Sequence, residues 1–168
     1  GQPHYNFETL TTNSNHAPSD QGHGTAVAGL AAARGYNGIG MAGTAPMASL
    51  AIWKLLNQSS SVIIADMFRY ASNIVSVQNH SWSWGSSSQV DISEVEKIAI
   101  TNVFRHGRNG RGTILVRASG NNRSINANDS SLLNPTQIVG DANDDGYTQD
   151  PYSIVVAAIR STGKVASY

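Results

Sequence analysis

The chain has 168 residues, 11 of them basic and 11 acidic, so its formal net charge is zero, and 40% of its residues are hydrophobic. That length can bury the core of one domain, and the balanced charge argues against nucleic acid or an anionic membrane surface as a partner. Cysteine is absent, which excludes disulfides and thiolate metal sites, and no apolar run reaches the ~18–20 residues of a spanning helix.

Residues 1–22 are polar, rich in Asn, Thr, Ser and Pro, and predict an irregular surface segment. The chain starts at Gly1 without an initiator methionine, so it is expected to be cut from something longer, and no signal peptide is visible. From about His23 the run GTAVAGLAAA predicts a buried helix built of small residues. Arg34 to Gly43 is a glycine-rich loop, and Ser49 to Leu56 is a compact apolar run that predicts a buried strand. Ile63, Ile64, Met67, Phe68 and Ala71 recur at helical spacing within Ser61 to Ser72. Ile74 to Val77 predicts a short strand, and Gly85 to Gln89 a serine-rich loop.

Ile92 to His106 is the clearest amphipathic helix: Ile92, Val95, Ile98, Ala99, Asn102, Val103 and Phe104 outline one face, with Glu94, Glu96 and Lys97 mostly off it. Gly107 to Gly112 ends it, and the nearby Arg105, His106, Arg108 and Arg111 read as a solvated turn. Thr113 to Val116 predicts a strand, Gly120 to Thr148 a long polar loop, and Ser153 to Ile159 a last buried strand. Strands alternating with helices predict an α/β fold with a mainly parallel sheet, in which functional groups gather at the carboxyl ends of strands.

Three segments carry chemistry. A histidine rigidly held at the start of a helix can act as a general base near neutral pH; by itself it is as readily structural. But the string His23-Gly24-Thr25-Ala26-Val27-Ala28-Gly29 resembles the histidine signature HGTxVAG of the subtilase family of serine proteases, which makes His23 the catalytic base. Gly43-Thr44-Ala45-Pro46-Met47-Ala48-Ser49-Leu50 is similar to the family's GVAPxASL run. The strand ending Ala118-Ser119-Gly120-Asn121 resembles the one that delivers the oxyanion-hole asparagine, a role that falls to Asn121. Asn37-Gly38-Ile39-Gly40-Met41-Ala42-Gly43 resembles the family's calcium loop. The resemblance implies Ca²⁺ held by the Asn37 side chain and the carbonyls of Arg34, Ile39 and Met41, all oxygen donors suited to that ion; a glycine-rich turn without metal is the alternative.

The kexin/furin-like branch is the nearer one. Gly140-Asp141-Ala142-Asn143-Asp144-Asp145-Gly146-Tyr147-Thr148 is similar to that branch's acidic loop, in which Asp145 would face a basic substrate side chain and Asp141 would be a second calcium ligand. Asp141, Asn143, Asp145 and Gly146 also fit the start of an EF-hand loop, although Tyr152 at its twelfth position cannot supply a carboxylate; a solvated acidic turn is a further reading. Ser83-Trp84-Gly85 resembles the strand that binds the peptide backbone, with core packing as the other role for the tryptophans. Asp20 could favour a basic residue at the next subsite. Ser86, Ser87 and Ser88 stand where the branch carries acidic residues, which puts dibasic specificity in doubt. The other histidines, His4, His16, His80 and His106, show no metal-ligand spacing and read as structural or exposed.

The resemblance implies a three-layer subtilisin-like fold, incomplete at both ends, spanning residues 1–168 as part of one catalytic domain. The serine motif GTSxA is absent from the sequence, and nothing in residues 1–22, ahead of His23, resembles the family's aspartate motif. The expectation is therefore a serine endopeptidase fragment acting on polypeptides, secreted or extracytoplasmic, inactive alone and prone to self-association. A non-catalytic, calcium-dependent binding module is the alternative.

Overall fold

The computed structural model describes residues 3–13, 22–55, 57, 59–84, 89–122 and 140–166. They fall into two compact units, Gly1–Ser59 and Ser60–Tyr168, each taken by itself.

In the first unit, strand β1 (Tyr5–Asn6) pairs in parallel with β2 (Trp53–Lys54), so the segment expected to be irregular holds a short strand. Of the apolar run at Ser49 to Leu56, only Trp53 and Lys54 are extended and paired. Phe7 is buried beside them, its ring 4.7 Å from Tyr5 and 6.4 Å from Trp53 by centroids, an aromatic cluster of the kind that anchors small cores. The Asn6 side chain accepts from the backbone N–H groups of Glu8 and Thr9 and closes the turn that follows.

Helix α1 (His23–Ala32) starts after Gly22, whose φ of 70° is left-handed. Its last carbonyls are satisfied by the returning loop: Gly43, Thr44 and Ala45 donate backbone N–H groups to Ala33, Leu30 and Ala31. Gly43 has no substitute here, because a Cβ at that position would lie 2.5 Å from the backbone nitrogens of Ala32 and Ala33. The helix was expected to be buried, yet none of its residues is, and Leu30 is 62% exposed. Apart from His23 and Leu30 its side chains are small and present little apolar area to bury.

The second unit holds α2 (Ser61–Arg69), β3 (Val77–His80), α3 (Glu94–Gly110), β4 (Ile114–Ala118), a 3₁₀ turn (Ala142–Asp144), α4 (Gly146–Gln149) and β5 (Ser153–Val156). The strands form a wholly parallel sheet in the order β3-β4-β5. Side-chain alternation gives it two unlike faces. Gln78, His80, Leu115 and Arg117 are buried, and Gln78 donates its amide to the Phe68 carbonyl of α2 at 2.8 Å. Val77, Ile114, Ile154 and Val156, in register on the opposite face, are exposed.

Helices α2 and α3 pack on each other through Ile64, Ala65, Met67, Phe68, Ala99, Ile100 and Val103. Ser93 and Glu96 close a capping box at the start of α3. Regular helical geometry ends at His106, since Gly107, Arg108 and Asn109 depart from it, which agrees with the glycine-based stop. The strand expected at Ile74 to Val77 lies instead at Val77–His80. Its polar letters VQNH hide it, because Gln78 and His80 are buried with partners. The strand expected at Thr113 to Val116 lies at Ile114–Ala118, and the last strand, at Ser153–Val156, is shorter than expected and not buried, since Ile154, Val155 and Val156 are exposed at the sheet edge.

Candidate active site

At the carboxyl end of the β3-β4-β5 sheet, the chain leaves three strands and encloses a pocket of about 470 Å³. This is where a parallel sheet presents functional groups. Ser83 and Trp84 reach it after β3, and Asn121 after β4. Asp141 and Asp145 form another wall, and Val156 and Ala157 of β5 and its exit close the far side. The five described second-unit residues singled out from sequence thus meet around one cavity. Gly120, with φ of 89°, turns the chain out of β4 so that Asn121 is exposed at its rim.

Asp145 is the hub of the acidic wall. Its Oδ1 accepts from the Tyr147 N–H at 2.9 Å and caps α4, and its Oδ2 accepts from the Trp84 N–H at 3.4 Å, linking the wall to the strand exit. Asp141 caps the 3₁₀ turn by accepting from the Asn143 N–H at 2.9 Å, and Asp144 accepts from the Asp141 N–H at 3.2 Å. The loop runs into β5, so the segment is not an EF-hand: the second helix that motif needs is a strand.

Under the sheet lies a group the sequence reading did not single out. Tyr147 is buried and donates its hydroxyl to Oε1 of buried Glu96 at 2.9 Å, while Oε2 of Glu96 accepts from the backbone and hydroxyl of Ser93. Burial, then Glu96, pushes the Tyr147 phenol well above its ordinary range. Arg117 lies over the rings of both Trp82 and Tyr147, its guanidinium carbon 4.1 Å from each centroid. Burial pushes its pKa down to about 10, against the pull of Asp145 and Tyr147. Trp84 stacks on Tyr147 at 6.4 Å. The available signal was parity: Arg117 alternates with Leu115, so a charge stood on the covered face of an apolar strand.

The remaining residues belong elsewhere. His23 is the first residue of α1 in the first unit and is exposed. Arg34, Asn37, Ile39 and Met41 lie in the exposed loop after that helix. Asn37 Oδ1 accepts from the Ile39 N–H at 3.0 Å, and the carbonyls of Arg34, Ile39 and Met41 accept no backbone hydrogen bond from a described residue. All four groups are oxygen donors, and none of them is a carboxylate. Among the described residues no three His, Asp or Glu side chains cluster as a metal site. Asp20 and Gly85 lie outside the described residues, as do Ser86, Ser87 and Ser88.

The profile of the subtilase family matches residues 3–168. The chain belongs to the subtilase family. Its relatives place this subtilase in the kexin-like branch: it is 30% identical over 152 residues to Endoprotease aex-5 of Caenorhabditis elegans, covering 87% of the chain and 25% of that protein. It is 31% identical over 156 residues to a dibasic-processing endoprotease of Schizosaccharomyces pombe, covering 89% and 20%. The chain thus spans a quarter or less of the length of these two relatives. The crystal structure of the Aeromonas sobria serine protease in complex with its chaperone matches 95% of the chain and 28% of that protein, with a TM-score of 0.75 at 21% identity. This likeness shows the fold, the α/β subtilisin-like one with its parallel sheet. No helix among the described residues is long and apolar enough to cross a membrane.

Proposed function

We propose that the chain forms the central part of a serine endopeptidase catalytic domain, with His23 as general base, Asn121 as oxyanion donor, and Ser83, Trp84 and Asp145 as walls of the pocket for a substrate side chain. The observation that carries this reading is the common pocket of Asn121, Ser83, Trp84 and Asp145 at the carboxyl end of the sheet. A side-chain amide at its rim can donate to the oxyanion of an acyl-transfer intermediate, which in subtilisin is worth roughly 10²–10³ in rate. His23 would accept the proton of a serine hydroxyl, and Ser83 and Trp84 would meet the peptide backbone as an added strand. Kinship supports polypeptide substrates and an extracytoplasmic setting, with Asp20 and Gly85 as further substrate contacts and Asp141 as a second calcium ligand.

This sequence holds no GTSxA motif, and without a nucleophile an acyl-enzyme has no route. The test combines intact mass with fluorophosphonate labelling, on this chain and on a longer polypeptide that carries it. The chain at 17.8 kDa is expected to stay unlabelled. The longer protein is expected to gain one probe mass, and to lose roughly 10²–10³ in kcat on Asn121→Ala with little change in KM. Labelling of the chain itself, or an unaltered kcat for Asn121→Ala, would overturn the assignment.

A further inference from the structure

Beneath the pocket wall stands a charge that the reading above leaves without a task. Arg117 is 2% exposed, and its Nε and Nη2 are buried without a hydrogen-bond partner. Among the described residues no carboxylate forms an ion pair with it. Two ring faces hold it instead, those of Trp82 and Tyr147. Rings attract a cation but do not cancel its charge, so its field extends into the surrounding low-dielectric region.

That field meets the pocket at Asp145. The carboxylate is tied by one oxygen to the backbone of Tyr147, whose ring covers the guanidinium, and by the other to the backbone of Trp84, which lines the cavity. Asp145 is also the carboxylate whose charge acts on Arg117. Asp141 and Asp144 line the pocket as well, each engaged with a backbone N–H of the turn. Their pull on a cation adds to that of Asp145, and Arg117 subtracts from the total.

We propose that Arg117 is a positioning residue that sets the charge preference of this pocket: acting through Asp145, it disfavours a cationic substrate side chain relative to a neutral one of the same shape. The inference rests on the reading of the pocket as the substrate side-chain site. An acidic wall alone would favour a basic side chain; a buried cation behind that wall reduces the advantage without touching the ligand.

Two small probes of nearly equal shape separate charge from packing: benzamidinium, a cation, and benzamide, its neutral counterpart. Both are titrated into the intact chain, with binding followed by the indole NMR signal of Trp84. Arg117→Met is expected to raise the affinity ratio of benzamidinium to benzamide roughly tenfold, the scale of one unit charge about 12 Å away at an effective dielectric of about 20. Arg117→Lys, which keeps the charge, is expected to leave the ratio near the wild-type value. An equal change for both probes in Arg117→Met would reduce Arg117 to a support for the rings and overturn the proposal.

Should Arg117→Met not fold, Arg117→Gln decides, since it removes the charge while keeping a polar side chain of similar reach. The ratio is again expected to rise roughly tenfold. An unchanged ratio in that variant, with both probes still bound, would overturn the proposal while leaving the pocket reading intact. No binding of either probe to any variant would overturn the pocket reading, and this one with it.

Discussion

His80 shows how a polar residue is accommodated on the covered face of the sheet. Its ring lies 5.0 Å from that of Phe68 on α2 and 5.9 Å from Trp82, and its Nε2 is 3.2 Å from Oε1 of Gln78 on its own strand. Arg117 on β4 adds a positive charge. Burial first, and Arg117 second, push its pKa from 6.5 down to about 3. A base with a lowered folded-state pKa binds its proton more readily when unfolded. The stability it confers is therefore complete above pH 6.5 and is lost as pH falls from there toward 3. The unfolding free energy from urea titrations is expected to decline through this window, with a slope reaching ~1.4 kcal/mol per pH unit from this group. His80→Gln is expected to flatten the slope between about pH 6 and 5, above the range where carboxylates titrate. An equally steep slope in that variant would show that His80 does not supply it.

At the scale of elements, legibility followed the strength of the periodic signal. Helix α3 could be read from Ile92 onward because its apolar residues recur at 3.6-residue spacing, and its regular part ends where Gly107 interrupts it. Strand β3 was misread because burial of Gln78 and His80 is compensated by hydrogen bonds and ring contacts, which no hydropathy pattern records. Helix α1 misled in the other direction: small apolar residues imply close packing, but none of its residues is buried, and the loop at residues 43–45 bonds to its carboxyl end. The placement of Ser83, Trp84 and Asn121 at one pocket could be anticipated from strand exits in a parallel sheet, whereas Asp141 and Asp145 reach it from the loop before β5, and Arg117 showed only as a charge on the covered face of β4, its partners coming from two other segments of the chain.

The same loop after α1 yields a test of the calcium proposal. Asn37 Oδ1 uses one lone pair on the Ile39 N–H and keeps another for a cation. A ligand that binds only the folded state raises its stability by mass action. Millimolar Ca²⁺ is expected to raise the melting temperature, Mg²⁺ to do so less, and Asn37→Ala to diminish the response to Ca²⁺. Equal melting temperatures with Ca²⁺ and with a chelator would sink the assignment of Arg34, Asn37, Ile39 and Met41 as ligands.

Over the whole molecule the decisive feature is unequal cover. The sheet of the second unit has α2 and α3 on one side, while Val77, Ile114, Ile154 and Val156 present an apolar surface on the other, continued by Ile159 and Val165 beyond β5. The first unit adds Leu30, Ile39, Met41 and Met47, all exposed. Scattered exposed apolar residues are ordinary, but apolar residues gathered on one sheet face form a surface for association, and β3 and β5 are edge strands among the described residues, with backbone groups available for pairing. The isolated chain is therefore expected to self-associate, with a light-scattering mass that rises above 17.8 kDa as concentration increases. Ile154→Lys and Val77→Lys, both at exposed positions, are expected to shift the equilibrium toward monomer with little loss of stability. If the face drives association, charge on it acts whichever edge is blocked; if the edges drive it, the lysines change little and a proline in β5 dissociates the assembly. A monomer at every concentration would mean that this face is tolerated in water as it stands.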